Sequence, residues 1–468
     1  MARRIEILDT TLRDGNKLPF VVLSTRDRLA LARQLAALGV DVIEAGFPVS
    51  SPEEAQCVSL VAREVKGPWI AALARALPAD VEKALQSLEP ADKRHLHLFM
   101  GVSPQFLAQV LKQSEEKALG TIGGFIRMGK AAGVRVQVSL SEAPHARREF
   151  LLDACRAAGE AGADVLNIAD TNGILVPEDV TELVGAVRGL LDGRKGPAPL
   201  IGVHCHNDLG LATANTLAAI RAGASHVEVT VGGFGERAGN AALEEIVFLL
   251  SAHGERWSVT HGVHLGEIAR TARLFDSLTG IRTHPNKPVI GASAFVPAAG
   301  GFPGASLTPG LRELFQEKSI GGGGSQAECP PLEDEPGPYD LKSFSVMTGT
   351  DSPPVGVVVI RRGSATLTQS SHGTGPIDAL FRAVDKALGF STRMVLYSVS
   401  TLSTGTEAET EVIVTAELRG RRFHGRHRST DVIEASLRAY MKACNAIGAS
   451  GILDGQADFH VYGEYLWE

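Results

Sequence analysis

The chain has 468 residues, with 46 Lys and Arg against 53 Asp and Glu and a formal net charge of -7, a balance that leaves no electrostatic footprint for nucleic acid or an anionic membrane. This length exceeds one ordinary domain and suits a large domain with a smaller partner. Five scattered cysteines, Cys57, Cys155, Cys205, Cys329 and Cys444, form no C-x-x-C pair, and together with the lack of an apolar signal region or membrane-length run they predict a soluble protein of the reducing cytoplasm.

The first predicted strand, Ile5 to Leu8, runs into a polar loop holding Asp9, Arg13, Asp14 and Gly15. Further strands are predicted at Val40 to Ala45, Trp69 to Leu73, His95 to Met100, Val134 to Leu140, Asp164 to Ala169, Leu200 to His204 and His226 to Val231. Between them lie segments such as DRLALARQLAALG and REFLLDACRAAGEAGA, apolar at helical spacing with Gly near the end. Eight strand-helix units over about 250 residues predict an α/β fold, a (β/α)8 TIM barrel whose chemistry gathers at the C-terminal strand ends.

The barrel pattern weakens after residue 275. GIRTHPNKPVIGASAFVPAAGGFPGASLTPGLRELF is rich in Gly, Pro and Ala, and SIGGGGSQAECPPLEDEPGPYD reads as a flexible acidic linker. From Leu341 onward SFSVMTG, VGVVVIRRGSATLTQ, MVLYSVSTLSTGTEAETEVIVTAELRG and RRFHGRHRS predict half-buried strands, and PIDALFRAVDKALG and DVIEASLRAYMKACNAIG amphipathic helices. The expected division is a barrel over 1–275, a Gly/Pro-rich linker over 276–340 and a smaller α+β domain over 341–468.

In IGVHCHNDLG, His204 and His206 are two apart on a strand, so both imidazoles face one way while Cys205 faces the other. Asp14, at the end of the first strand, can join them as a carboxylate ligand. Two imidazoles and one carboxylate leave open positions on a Lewis-acid ion such as Mg²⁺, Mn²⁺ or Zn²⁺. Arg13 adds a fixed positive charge beside it. Taken alone, either motif reads equally well as structural histidines or a solvated Arg/Asp turn.

DTTLRDG near the start, IEAGFP at 43–48, HCHNDLG at 204–210 and GERAGNAALEE at 235–245 together resemble the DRE-TIM metallolyase superfamily, most of all its 2-isopropylmalate synthase and homocitrate synthase branch. The later segments SSHGTGPIDALFRAV, YSVSTLSTGTEAETEVIV and DVIEASLRAYMKACNAI resemble the leucine-sensing regulatory domain of those synthases. The resemblance implies a metal-dependent Claisen condensation of acetyl-CoA with a 2-oxo acid, then thioester hydrolysis, in a homodimer of amino-acid biosynthesis. Asp14, His204 and His206 match the metal ligands, and Asn240 lies where the family has a further ligand. Arg13 matches the arginine that polarises the oxo acid's carbonyl, and Thr171 the threonine that binds its carboxylate. Gly235, Glu236 and Gly239 match the loop near the acyl-CoA. As bare residues, Asn240 is equally a turn cap and Thr171 a strand-end group bonded to local backbone.

The chain departs from that pattern in places. Where the synthases usually read DGEQ it has Asp14, Gly15, Asn16 and Lys17; the strand-five glutamate falls on Ser141, with Glu142 one place later; and the histidine and tyrosine expected after the barrel are replaced by Phe302 and a tyrosine-free ASLTPGLREL. A relocated base is therefore expected, with Glu142 the first candidate and Glu44, His95 and His97 behind it. Besides a 2-isopropylmalate synthase-like enzyme acting on 2-oxoisovalerate or a related acid, the alternatives are a citramalate, homocitrate or citrate-type synthase, a lyase or aldolase on the same metal, and a non-catalytic regulatory paralogue. Lys17, Leu18, Arg75, Phe106 and Ser139 are the loosely placed substrate-pocket candidates.

In HGTGPIDA, Gly373 and Gly375 let backbone N–H groups approach a carboxylate at the start of a helix. With Asp378 they form the candidate effector site, for leucine or a related amino acid by resemblance. An ordinary glycine-rich turn reads the same.

Overall fold

The computed structural model describes residues 2–18, 21, 23–193, 196–294, 317–321, 337–401 and 408–453. Phe302, the segment 305–314 and Cys329 lie outside the described residues. The chain divides into two compact units, one built mainly from the first 327 residues and the other from the remainder.

In the first unit eight parallel strands close into a barrel: β1 (Glu6–Asp9), β2 (Val42–Gly46), β3 (Trp69–Arg75), β4 (Arg94–Gly101), β5 (Arg135–Ser141), β6 (Val165–Asp170), β7 (Leu200–Cys205) and β8 (His226–Val229). All eight predicted strands are present, and the architecture is the expected TIM barrel. The last strand stops at Val229, short of the expected Val231, because residues 231–233 turn through Gly232 at φ +67°. Helices α1 (Thr25–Leu38), α2 (Pro52–Glu64), α3 (Pro78–Leu88), α4 (Glu115–Ala131), α5 (Arg148–Glu160), α6 (Pro177–Asp192), α7 (Ala212–Ala222) and α8 (Leu243–Trp257) follow the strands, and α9 (Ile268–Thr279) comes after the last turn. Local chemistry sets their ends. At α1, Asp27 N donates to Ser24 Oγ and Ser24 N to Asp27 Oδ2, a reciprocal cap worth about 1 kcal/mol, and Gly39 closes the helix at φ +85°.

The barrel interior is unusually polar. Arg135 on β5 reaches across to Glu6 on β1 through two bonds of 2.7 and 2.6 Å, which places both inside. His226 Nδ1 lies 2.7 Å from the same carboxylate, and the Trp69 ring lies under the Arg135 guanidinium at 5.3 Å. The two-residue period then turns His97, Gln137, Ser139, Asn167, Glu228 and Glu44 inward above this floor. Leu8, Val42 and Ala71, with Trp69 against them, make an apolar patch on the β1–β3 side.

The second unit repeats one plan twice, three antiparallel strands and a helix. β9 (Tyr339–Met347), β10 (Val355–Arg362) and β11 (Ala365–His372) precede α10 (Pro376–Leu388); β12 (Arg393–Thr401), β13 (Thr410–Leu418) and β14 (Arg421–Ser429) precede α11 (Val432–Ala449). The run VGVVVIRRGSATLTQ resolves into two strands, β10 and β11, joined through Gly363 at φ +59°. One apolar core containing Val358, Leu380, Val384, Val412, Leu437 and Tyr440 binds both halves.

Candidate metal centre and active site

Asp14, His204 and His206 converge at the C-terminal mouth of the barrel, all three buried, with one ligand atom from each within 4.8 Å of the others. The two Nε2 atoms are 3.0 Å apart, and Asp14 Oδ2 lies 3.2 Å from His206 Nε2 and 3.9 Å from His204 Nε2. β7 supplies His204, and His206 follows one residue past its end with the two-residue spacing kept, while Cys205 between them points to the helix layer, where burial pushes its thiol up to about 12.

Each ligand candidate is held from behind. His206 Nδ1 lies 2.6 Å from the Thr171 carbonyl oxygen and 2.8 Å from Arg237 Nη2, which itself donates to that carbonyl; the tautomer that gives the Nδ1 proton to the carbonyl leaves the Nε2 lone pair facing the centre. His204 Nδ1 lies 2.9 Å from Glu228 Oε2, close but not aligned as a hydrogen bond. Arg13 Nη1 donates to Asp14 Oδ1 at 2.7 Å while its Nε donates to Glu44 Oε2 at 2.7 Å. Burial opposes ionisation of Asp14, but the Arg13 charge and the His206 contact outweigh it and hold the carboxyl well below its ordinary value.

Glu44 is fully committed. Thr10 Oγ1 donates to its Oε2 at 2.6 Å and His97 Nδ1 to its Oε1 at 2.6 Å. Burial works against its charge, yet Arg13 and His97 keep it ionised below the usual range. His97 Nε2 is in turn 2.6 Å from Ser139 Oγ, which also accepts from Asn167 Nδ2 at 2.8 Å. Gln137 Nε2 lies 3.1 Å from His97 Nε2 and donates to Glu228 Oε1 at 2.6 Å, so Glu44, His97, Gln137 and Glu228 form a connected polar network beneath the centre. His95 is buried lower down, with neither ring nitrogen hydrogen-bonded among the described residues.

Asn240 stands beside His206 through an isolated antiparallel bridge. Its Nδ2 donates to Asp14 Oδ2 at 3.0 Å, and its buried Oδ1 has no hydrogen-bond partner among the described residues. The turn carrying it needs its glycines: at Gly239, φ +91°, a Cβ would lie 2.0 Å from Gly233 O, and at Gly235 one would lie 2.1 Å from Asn240 Nδ2. Arg237 in the same turn adopts φ +54° and donates to Asp208 at 2.8 and 2.9 Å and to Thr171 O at 2.7 Å. This turn walls a cavity of about 490 Å³ that also touches Leu18, Asn207, Thr213 and Lys287.

Glu142 also has a left-handed backbone, φ +57°. Its amide donates to Thr171 Oγ1 at 2.9 Å and its carboxylate accepts from Ser103 Oγ. Thr171 thus links Glu142 on one side to His206 on the other. Arg75 is bound to Asp80 through Nε at 2.6 Å and lies 5.8 Å from the Phe47 ring, and the Phe106 ring closes over Gly101. Sequence reasoning missed Glu228 and Gln137. The signal was the alternation of HVEVT, in which His226, Glu228 and Thr230 share one strand face.

In the second unit, Gly373 permits close packing, since a Cβ there would lie 2.3 Å from Ala379 N. Gly375 caps α10, and Asp378 accepts from Thr374 N at 2.8 Å and from Arg382 Nε at 3.0 Å.

Residues 4–275 match the HMGL-like family model, and residues 312–448 match the LeuA allosteric (dimerisation) domain. A 2-isopropylmalate synthase of Pyrococcus furiosus is 38% identical over 96% of this chain and 100% of its own length. One from Aquifex aeolicus is 34% identical over 95% and 96%. Among solved structures, the hydroxymethylglutaryl-CoA lyase of Pseudomonas aeruginosa has a TM-score of 0.51 at 21% identity, covering 60% of this chain and 95% of its own, a likeness of barrel fold. With the barrel, the cluster of Asp14, His204 and His206 that could hold a metal ion, and matches along nearly the whole chain in view, the protein belongs to the HMGL-like family, in the branch of the 2-isopropylmalate synthases with a LeuA-type domain.

Proposed function

We propose that this chain is a 2-isopropylmalate synthase-like acyltransferase that condenses acetyl-CoA with 2-oxoisovalerate or a closely related 2-oxo acid. The observation that carries it is the convergence of Asp14, His204 and His206 at the barrel mouth in a chain so similar, end to end, to 2-isopropylmalate synthases. The donor set fits a divalent cation: two Nε2 atoms 3.0 Å apart and facing one carboxylate oxygen, with the buried Asn240 Oδ1, unpartnered among the described residues, on the neighbouring turn. Such an ion, Mn²⁺, Mg²⁺ or Zn²⁺, would supply Lewis-acid polarisation of the oxo acid's carbonyl.

The protein's own groups do the rest. Arg13 keeps its charge, since Glu44 and Asp14 outweigh the burial that opposes it. With Nε and Nη1 pinned to carboxylates, Nη2 is left to donate to the carbonyl oxygen as negative charge develops there. Thr171 receives the substrate carboxylate. Glu142, rather than the fully paired Glu44 or His97, takes the proton from the acetyl methyl group; the new carbon–carbon bond then forms at the oxo carbon, and water cleaves the thioester. The turn bearing Gly235, Glu236 and Gly239 holds the acyl-CoA in the adjoining cavity.

The barrel is the catalytic domain and the second unit the regulatory and dimerisation domain of a cytoplasmic homodimer, with 276–340 as the connection. Gly373, Gly375 and Asp378 make its amino-acid site, Asp378 offering a carboxylate to the ammonium group of leucine or a similar effector. The test is thiol release from acetyl-CoA with 2-oxoisovalerate, pyruvate, 2-oxoglutarate and oxaloacetate. Metal-dependent release, fastest with 2-oxoisovalerate and lost in His206→Ala, is expected; no release with any acid overturns the reading.

A further inference from the structure

Lys17 stands where the synthase motif carries a neutral glutamine, and the structure shows what its charge meets. Its ammonium lies 2.8 Å from Asp14 Oδ1 and 3.1 Å from Glu236 Oε2. Arg13 Nη1 is already 2.7 Å from the same Asp14 oxygen, so two cations share Oδ1 while Oδ2 turns to the imidazoles and Asn240. The two cations differ in freedom. The Arg13 side chain is 12% exposed and fixed by Glu44, whereas that of Lys17 is 46% exposed and reaches in on a flexible four-carbon stem.

We propose that Lys17 determines metal affinity: it is an internal cation that competes with the divalent ion for Asp14, and gives up Asp14 while keeping Glu236 when the ion binds. This rests on the metal reading of Asp14, His204 and His206 given above. A dication and an ammonium that share one carboxylate repel each other, and even in a water-like medium that repulsion is worth on the order of tenfold in a binding constant. Glu236 makes that release possible, because its Oε2 already accepts from the ammonium at 3.1 Å while its Oε1 stays with Arg237 at 2.8 Å.

The experiment measures Mn²⁺ binding to the full-length protein, without substrates, by titration calorimetry and by loss of the free-ion electron spin resonance signal. Lys17→Gln is expected to bind Mn²⁺ about tenfold more tightly than the wild type. Lys17→Met, which keeps much of the stem but not the charge, should match it. Glu236→Gln should bind more weakly, and that loss should shrink in the Lys17→Gln background, where no ammonium needs a refuge. Equal or weaker binding by Lys17→Gln, or tightening by Gln but not by Met, overturns the proposal. Mn²⁺ binding by none of the variants would sink the metal reading itself and this inference with it, whereas equal binding by all sinks the inference alone.

Discussion

Glu228 sits behind His204 much as the Thr171 carbonyl sits behind His206, and neither touches the centre itself. Groups in that position fix the tautomer and orientation of a ligand imidazole, and losing one typically weakens metal binding about tenfold to a hundredfold. Glu228→Ala should show that loss in direct Mn²⁺ titration while its far-UV circular dichroism stays that of the wild type. Unchanged affinity would mean that the carboxylate serves only the network with His97 and Gln137. Arg13 makes a different case, because its two pinned nitrogens leave one donor aimed by geometry rather than by charge alone. Arg13→Lys keeps the charge and loses the fork, so kcat should fall about a hundredfold or more with a smaller change in the KM for acetyl-CoA. Steady-state kinetics with both substrates varied would check this.

Strands carry the barrel's polar column, and its floor is the clearest element-scale test. Glu6 on β1 and Arg135 on β5 join opposite walls with a two-bond ion pair, half-enclosed above Trp69. Removing one partner strands the other charge, so Arg135→Met should cost about 2–4 kcal/mol in urea unfolding, and Glu6→Leu with Arg135→Met should recover much of it. The strands themselves were legible in the sequence, since apolar runs closed by turn residues recur eight times and the helices between them follow helical spacing. What each face meets was not: a period of two looks the same whether the polar face meets solvent or the barrel axis, which is why Glu228 and Gln137 went unread. His204 and His206 were readable because their partner Asp14 also ends a strand, whereas the Glu142–Thr171–His206 link depends on three strand ends meeting in space. In the second unit, Asp385 on α10 accepts from Tyr440 on α11 and from Ser391 Oγ at 3.2 Å, tying the two helices and the intervening loop. Burial pushes its carboxyl up to about 7 despite those donors. With a folded pKa above the unfolded one, its contribution is complete below about pH 4 and is lost as pH rises through 7. Asp385→Asn should therefore flatten that part of the pH dependence of thermal unfolding between pH 4 and 8; an unaltered profile would show that Asp385 does not titrate there.

At the scale of the whole molecule, the chain sets a candidate ion site in one compact unit and a candidate amino-acid site in the other. A ligand that binds only the native form stabilises by an amount set by its concentration over its dissociation constant, about 2.7 kcal/mol at a hundredfold excess. Mn²⁺ should therefore raise the unfolding transition of the barrel, and a chelator should lower it again. Leucine should act on the transition of the second unit, whose core is built from its own strands and helices. Gly375→Asp places a second carboxylate beside Asp378 at the start of α10, where it should repel an incoming carboxylate and abolish the leucine-induced shift while leaving the Mn²⁺-induced shift intact. Differential scanning calorimetry of the full chain, with each ligand alone and then both, separates the two effects. If leucine still shifts the transition in Gly375→Asp, the start of α10 is not where the amino acid binds; if Mn²⁺ shifts nothing in the wild type, Asp14, His204 and His206 do not hold the ion.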